Sequence, residues 1–133
     1  MSNTENIFNN AKSEIEKLWN NNSVLSNFVE FPKNLFLKNF DKNRIPATDK
    51  LLNWNSNLDT KLIELHNSIS SLSPYVNWEQ GYKEDEVGKN FLNKYGFFEL
   101  IGPSGHFQTS EMALYVNYLC KNTYYPWHNH DAE

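Results

Sequence analysis

The hydrophobic period of the chain changes at Gly96, and this change constrains the fold more than any other feature of the sequence. Before Gly96, apolar residues recur at intervals of three and four, which places side chains on one face of an α-helix. After Gly96, apolar residues recur at every second position, the period of a β-strand with one buried face. Helices followed by strands predict an α+β fold.

Helical spacing predicts a first helix that begins after the polar capping residues 2–4 and ends at residues 20–23. Its apolar face is expected to comprise Ile7, Ala11, Ile15, Leu18 and the adjacent Trp19. A shorter apolar segment follows over residues 24–31. Residues 33–50 show no regular period, and Pro46 is interpreted as a breaker within them.

Two further helices are predicted before Gly96. A long apolar stripe is stopped by Ser73 and Pro74, and its members are Leu58, Leu62, Leu65, Ile69 and Leu72. A last helix is expected over residues 84–95, because its acidic first turn suits a helix N-terminus. Gly96 then lies where a left-handed residue commonly ends a helix.

Two apolar stretches predict strands after Gly96. The first covers residues 97–101 and ends at the turn-forming residues 102–105. The second covers residues 112–120, with apolar side chains at the even positions. A turn at residues 121–122 precedes a third expected strand over 123–130.

Composition narrows the range of functions. The chain has 133 residues, which suits one domain with a real core, and a formal net charge of −4 with no basic cluster. Phosphate neutralisation needs such a cluster, so we expect no nucleic-acid partner. No apolar run approaches the 18 residues of a membrane span, and no signal peptide is evident. The single cysteine, Cys120, fits a reducing compartment, and we expect a cytoplasmic protein.

His128 and His130 predict the beginning of a metal site. On a strand, residues two apart place both imidazoles on one face, and Glu133 adds a carboxylate shortly afterwards. A lone His-x-His pair is a weak signal, but this pair follows a turn and an aromatic-proline step. Neutral imidazole suits Fe, Zn, Ni, Cu or Mn, so the residues do not select the metal.

The other candidate residues have simpler structural explanations. His66 is expected to be a partly buried or surface histidine with a hydrogen-bond partner, and His106 a solvated loop residue. Cys120 is interpreted as a small buried residue on a strand, because nothing indicates a depressed thiol pKa. Trp78 and Tyr82 are expected to pack helices onto the sheet rather than to contact a substrate.

From Tyr75 onwards the sequence resembles the cupin-type dimethylsulfoniopropionate lyases. The resemblance is clear over residues 75–133 and looser over the helical front half. The residues that carry it are Trp78 with Tyr82, Phe91-Leu92 with Tyr95-Gly96, Glu99-Leu100-Ile101-Gly102-Pro103, and Tyr125-Pro126-x-His128-x-His130-x-Ala132-Glu133. Generic cupins share the His-x-His portion alone, so the Tyr-Gly-x-x-Glu-Leu-Ile-Gly-Pro segment and the Tyr-Pro step narrow the resemblance to this family.

The resemblance implies a helical cap over residues 1–96 followed by the first strands of a cupin β-barrel over 97–133. It implies a carbon–sulfur lyase that splits dimethylsulfoniopropionate into dimethyl sulfide and acrylate by β-elimination. It also implies a divalent metal cofactor, with Fe, Zn, Mn or Ni as candidates, and a small-molecule substrate as the partner. A homodimer stays an open alternative.

The resemblance assigns roles to individual residues near the end of the chain. His130 matches a metal ligand, and His128 matches a residue that is a ligand or a substrate contact. Tyr125 matches a tyrosine that binds the substrate or assists proton transfer. Glu133 matches the first of two acidic residues whose second member is the ligand in the family. We therefore expect a truncated barrel, and an isolated 133-residue chain that is inactive.

Two other classes of function remain open from the sequence alone. Another metal-dependent cupin enzyme, such as a dioxygenase or a sugar isomerase, would use the same His-x-His pair. A non-catalytic cupin that binds a small molecule would need neither a base nor a complete ligand set.

Overall fold

Helices precede a three-stranded sheet in the computed structural model, which describes residues 2–54 and 60–125. The sheet order is β2-β1-β3, with β1 and β2 parallel and β1 and β3 antiparallel. This order confirms the predicted α+β class. The elements are α1 (Asn3–Asn20), α2 (Ser23–Phe28), α3 (Pro46–Leu52), α4 (Thr60–Leu72), a 3-10 turn (Ser73–Tyr75), α5 (Glu84–Val87), α6 (Lys89–Leu92), β1 (Tyr95–Gly102), β2 (Phe107–Gln108) and β3 (Leu114–Leu119).

Helix α1 begins at Asn3, within the predicted capping stretch, and three of the five residues predicted for its buried face are buried. The Ser2 hydroxyl accepts a hydrogen bond from the Glu5 backbone N–H at 3.1 Å, as an N-cap does. The buried residues are Phe8, Ala11, Ile15 and Trp19. Leu18, predicted for this face, is 37 % exposed. Ala11, Ile15 and Trp19 are buried as predicted, and the Phe8 ring joins them in the core.

Helix α3 overturns the prediction that Pro46 is a breaker and that residues 46–50 are irregular, whereas residues 33–45 form no helix or strand, as predicted. Pro46 is the first residue of the helix, where the missing N–H breaks no intrahelical bond and the fixed φ is suitable. The Thr48 hydroxyl accepts a hydrogen bond from the Ile45 N–H at 3.0 Å and closes this end. Ala47, Thr48 and Leu51 are buried.

Helix α4 packs against α1. One hydroxyl of α4 and one of the following 3-10 turn bind carbonyl groups of α3. The Ser70 hydroxyl donates to the Leu51 carbonyl at 2.9 Å, and the Ser73 hydroxyl donates to the Thr48 carbonyl at 2.7 Å. Both serines are buried, so these bonds remove the penalty of unpaired polar groups. The helix ends at Leu72 as predicted, while Leu58 lies outside the described residues. Within residues 2–54 and 60–125, no helix has the length and apolarity needed to cross a bilayer.

The helix predicted over residues 84–95 is in fact two short helices, α5 and α6. Gly88 separates them with a φ of +87°, a conformation that L side chains rarely adopt. The expectation that Gly96 ends a helix is also wrong, because Gly96 lies inside β1. The first strand therefore starts at Tyr95, two residues earlier than predicted.

Strand β1 is the centre of the sheet. Phe98 pairs with Val116 and Gly96 pairs with Tyr118 on the face that the helices cover. The turn at residues 102–105 is confirmed, and it leads into β2, which the period did not predict. Strand β3 is shorter than the expected 112–120, and the described residues 123–125 form no strand. Its alternation is confirmed, with the even positions facing the core.

Trp78 packs between the helices and the sheet, as the sequence predicts. Its side chain is buried, its ring meets Phe98 edge-on at 5.0 Å, and its Nε1–H donates to the Ser73 carbonyl at 2.9 Å. Gly96 allows this packing. A Cβ built on Gly96 would lie 2.9 Å from Trp78 Cε3 and would also collide with Ile45 Cδ1.

His106 is buried, so the expectation of a solvated loop residue is wrong. Its Nδ1 lies 2.7 Å from the Asn39 carbonyl oxygen, and the Asn77 backbone N–H donates to its Nε2 at 3.2 Å. A carbonyl can only accept, so Nδ1 carries the proton and the ring is neutral. Burial lowers the pKa of His106 below its ordinary value of 6.5, and the Asn39 bond and Asp41 oppose this shift.

We expect Gly96→Ala to lower the free energy of unfolding by about 1–3 kcal/mol, because the added methyl overpacks a filled core. Urea unfolding at 25 °C measures this change. Ile45→Val removes the nearest colliding atom, so the double variant should lose less stability than the sum of the two single variants. Additive losses would show that the contact with Ile45 is not the cause.

His106 should make stability depend on pH below about 6.5. The unfolded chain binds a proton near the ordinary histidine pKa, whereas the fold resists protonation until lower pH. The unfolding free energy should therefore fall from pH 7.5 to 5.5, by at most about 1.4 kcal/mol per pH unit from this group. His106→Gln should flatten the slope in urea titrations and the matched control His66→Gln should not. Equal slopes in all three proteins would contradict the assignment.

Candidate active site

Tyr125 is the candidate site residue that the structure describes. It follows the turn at residues 121–122, where Asn122 adopts a φ of +62°, a conformation that asparagine tolerates better than most residues. The turn reverses the chain after β3. Tyr125 thereby reaches the side chains of Tyr82, Phe91 and Tyr95, which lie 30 or more positions earlier in the chain.

Four rings form what we call the aromatic cluster: Tyr82, Phe91, Tyr95 and Tyr125. The Tyr125 ring centroid lies 5.6 Å from that of Phe91, 5.8 Å from Tyr95 and 6.5 Å from Tyr82, in edge-to-face geometry each time. Phe91 and Tyr95 stack at 4.9 Å. Edge-to-face pairs are favourable because the positive ring edge meets the negative face. The cluster therefore holds the Tyr125 ring from three sides.

The cluster also brings phenol hydroxyls together. The Tyr82 and Tyr125 hydroxyl oxygens lie 3.4 Å apart, and the Tyr95 hydroxyl also interacts with that of Tyr125. Burial is the main cause that raises the pKa of both Tyr95 and Tyr125 above the ordinary value of 10.0. The hydrogen bond to Tyr125, followed by burial, raises the pKa of Tyr82. All three phenols are therefore protonated at neutral pH.

Hydrogen bonds from the Gln80 side chain position the segment that carries Tyr82. The Gln80 side-chain amide donates to the Leu92 carbonyl at 2.7 Å and to the Tyr95 carbonyl at 3.1 Å. Gly81 has a φ of +70°, and a Cβ there would lie 3.1 Å from the Phe97 ring. The chain can therefore turn at Gly81 close to β1, and this turn places Tyr82 in the aromatic cluster.

Glu99 lies on the same face of β1 as Tyr95, because residues two or four apart along a strand share a face. Its carboxylate accepts hydrogen bonds from the Tyr115 hydroxyl at 2.7 Å and from the Ser104 N–H at 2.6 Å. The hydrogen bond to Glu99, followed by burial, raises the pKa of Tyr115. The carboxylate thus fixes the turn after β1 and orients a fourth phenol.

Of the predicted site residues, Tyr125 lies in the aromatic cluster. His128, His130 and Glu133 lie outside the described residues, so their roles stay predictions. The described segments 2–54 and 60–125 contain no group of three histidine, cysteine, aspartate or glutamate residues arranged to hold a metal.

The remaining histidines and the cysteine lie apart from the cluster. His66 is half-buried on α4, with its Nε2 3.1 Å from the Trp54 carbonyl oxygen, which confirms the expected structural role. Cys120 follows β3 and is half-buried rather than buried.

Sequence analysis missed the neighbours of Tyr125. Tyr95 and Phe91 belong to the segments that carry the family resemblance, but no local pattern links them to Tyr125. The sequence predicts that Tyr82 is a packing residue, and it does pack, but its hydroxyl also lies 3.4 Å from that of Tyr125. The available signal is that three of the four segments of the resemblance contain a tyrosine, at positions 82, 95 and 125.

Fold and site together define an α+β protein with a helical front half, a mixed sheet and an aromatic site beside its central strand. Comparison with known proteins then identifies the family. The family model for dimethylsulfoniopropionate lyase matches residues 21–133. The chain belongs to the dimethylsulfoniopropionate lyase family.

Individual relatives agree with the family match. The chain is 26 % identical over 133 residues to the dimethylsulfoniopropionate lyase DddQ of Ruegeria pomeroyi DSS-3, covering all of this chain and 66 % of the relative. The crystal structure of DddQ from that organism matches with a TM-score of 0.85 and 25 % identity, over 93 % of this chain and 63 % of that one.

A chain from the crystal structures of the lyases RdDddP and RnDddQII matches with a TM-score of 0.83 and 27 % identity, over 87 % of this chain and 60 % of that one. The present chain thus spans just under two thirds of the length of these relatives.

We expect Phe91→Ala to lower the unfolding free energy by about 3 kcal/mol, because Phe91 is buried and contacts the three tyrosine rings of the cluster. Urea unfolding measures the loss. Phe36→Ala is the matched control, since Phe36 is 63 % exposed and should change stability little. Similar losses in the two variants would show that the cluster contributes no packing energy.

Proposed function

We propose that the protein containing this chain is a metal-dependent dimethylsulfoniopropionate lyase that releases dimethyl sulfide and acrylate. The main support is the position of Tyr125 within the aromatic cluster. The family to which the chain belongs is also named for this activity. The substrate is a propionate with a dimethylsulfonium group on its β-carbon. Such a molecule needs a surface for a soft cation and a group that handles a proton.

Aromatic faces supply the first requirement. A sulfonium cation is attracted to the negative face of an aromatic ring, and the attraction grows when water is excluded. Phe91 and Tyr95 are buried, and Tyr82 and Tyr125 are half-buried, so the cluster offers both buried and accessible rings. We propose that the accessible ring faces contact the sulfonium group.

Tyr125 supplies the second requirement. In the elimination, a base takes a proton from the α-carbon, the electron pair of that bond forms the α,β double bond, and the β-carbon–sulfur bond breaks with its electrons on sulfur. The raised pKa keeps Tyr125 protonated in the free protein. A nearby substrate cation would favour its phenolate form. Tyr125 is therefore proposed either to accept the α-proton or to hold the substrate by its hydroxyl.

His128 and His130 are proposed to hold the divalent metal. Their donor chemistry fits, because neutral imidazole nitrogen suits Fe, Zn, Mn and Ni alike. When bound, such a metal would stabilise the negative charge that develops next to the substrate carboxylate. His128 keeps its alternative role as a substrate contact.

The family match does not favour the two alternatives raised from the sequence. A dioxygenase, a sugar isomerase or a small-molecule-binding cupin would share the His-x-His pair. None of them accounts for a match to the lyase family over residues 21–133. The division into residues 1–96 and 97–133 is likewise a proposal, since helices and strands contribute to one hydrophobic core.

The test is the release of dimethyl sulfide into the headspace by the complete, metal-loaded protein, with acrylate measured in the same vial. His130→Ala should reduce release to background. Tyr125→Phe should reduce it by about a hundredfold or more, the usual contribution of a positioned proton-transfer group. Equal amounts of the two products are expected.

Tyr124→Phe is the matched control, because Tyr124 precedes Tyr125 but is 77 % exposed. Its activity should equal that of the unmodified protein. If the unmodified protein released no more dimethyl sulfide than His130→Ala, the proposed activity would be wrong.

A further inference from the structure

Two tyrosines from distant parts of the chain, Tyr82 and Tyr95, both interact with the Tyr125 hydroxyl. Tyr82 precedes α5, Tyr95 opens β1, and Tyr125 follows the turn after β3. Tyr82 and Tyr95 also contact each other, with ring centroids 5.8 Å apart. Packing alone could be achieved with phenylalanine, as Phe91 demonstrates in the same cluster. The hydroxyls of Tyr82 and Tyr95 therefore call for a separate explanation.

The directions of the hydrogen bonds are consistent with one chain of donors. Each phenol carries one proton and can also accept one bond. Either oxygen of the Tyr82–Tyr125 pair can donate. The pKa directions favour Tyr82 as this donor, because its bond lowers the pKa of Tyr125. They also favour a bond from Tyr125 to Tyr95, because this bond raises the pKa of Tyr125 and lowers that of Tyr95. The favoured order is Tyr82 to Tyr125 to Tyr95.

We propose that Tyr82 and Tyr95 are positioning residues that fix the direction of the Tyr125 hydroxyl. The proposal rests on the proposed function insofar as Tyr125 acts on the substrate. One neighbour engages the oxygen lone pair and the other engages the proton, so the hydroxyl rotor has one preferred orientation. A fixed hydroxyl needs less reorganisation when the substrate arrives.

The contact between the Tyr82 and Tyr125 hydroxyls is better suited to orienting a hydroxyl than to stabilising the fold. At 3.4 Å, the Tyr82–Tyr125 separation is longer than a strong O–H···O bond. Such contacts in free enzymes often shorten when the substrate binds. The hydrogen bond to Tyr125 and burial are the larger causes that raise the pKa of Tyr82, and the Glu86 carboxylate is a smaller one. Tyr82 therefore stays protonated at neutral pH and can donate.

The kinetic experiment uses Tyr82→Phe and Tyr95→Phe in the complete metal-loaded protein, with Tyr124→Phe as the control. Each change removes one hydroxyl and keeps the ring, so the packing of the cluster should survive. We expect kcat to fall between about tenfold and a hundredfold in both variants, while KM stays unchanged. Unchanged kcat in both variants would overturn the proposal.

A second readout is independent of the lyase activity. Tyrosines labelled with ¹³C at Cζ report the ionisation of Tyr125 by NMR, and Tyr125→Phe assigns its signal. Tyr82→Phe should raise the pKa of Tyr125, and Tyr95→Phe should lower it. A purely structural role would shift both in the same direction or not at all, which would refute the hydroxyl chain.

The two experiments separate the possible failures. If the unmodified protein makes no dimethyl sulfide but the opposite shifts appear, the proposed function fails and the hydroxyl chain stands. If dimethyl sulfide is made and the shifts are absent, the positioning role fails alone. Should Tyr95→Phe not fold, the shift and the kcat of Tyr82→Phe decide the question.

Discussion

The rest of the structure depends on the two faces of β1. One face turns Gly96 and Phe98 towards the helices, and the missing side chain of Gly96 lets Trp78 lie directly against the strand. The other face carries Tyr95, which anchors the aromatic cluster, and Glu99, which fixes the following turn. Alternation along one strand thus assigns alternate residues to the hydrophobic core and to the candidate site. A shift of β1 by one residue would turn the core residues towards the candidate site and the site residues towards the core.

The sequence predicts the elements whose period is long and regular. Helix α1 with its Ser2 cap, the end of α4 and the alternation of β3 all follow from local pattern. Prediction failed where a single proline or glycine was assigned its commonest role. Pro46 begins a helix instead of breaking one, because proline suits the first helical turn. Gly96 lies within a strand instead of ending a helix, because its small size allows close packing there.

The candidate site is harder to predict because its parts are distant in sequence. Tyr125 was identified through the family resemblance, and the structure adds the neighbours that surround it. Tyr82 lies 43 positions from Tyr125, so no window of local periodicity can relate them. Their meeting depends on Gly81, on the break at Gly88 and on the turn at Asn122, three positions of positive φ. Such turns determine which distant residues meet, but they do not change the spacing of hydrophobic residues from which elements are predicted.

His106 has a consequence for the metal binding that we propose. Its Nε2 lone pair accepts the Asn77 N–H and its Nδ1 proton is directed at Asn39, so neither nitrogen is available to an ion. A histidine with a free lone pair near the sheet could capture zinc or copper and compete with the proposed ligands, His128 and His130. Because both ring nitrogens have backbone partners, the His106 imidazole cannot bind a cation and does not compete for the metal.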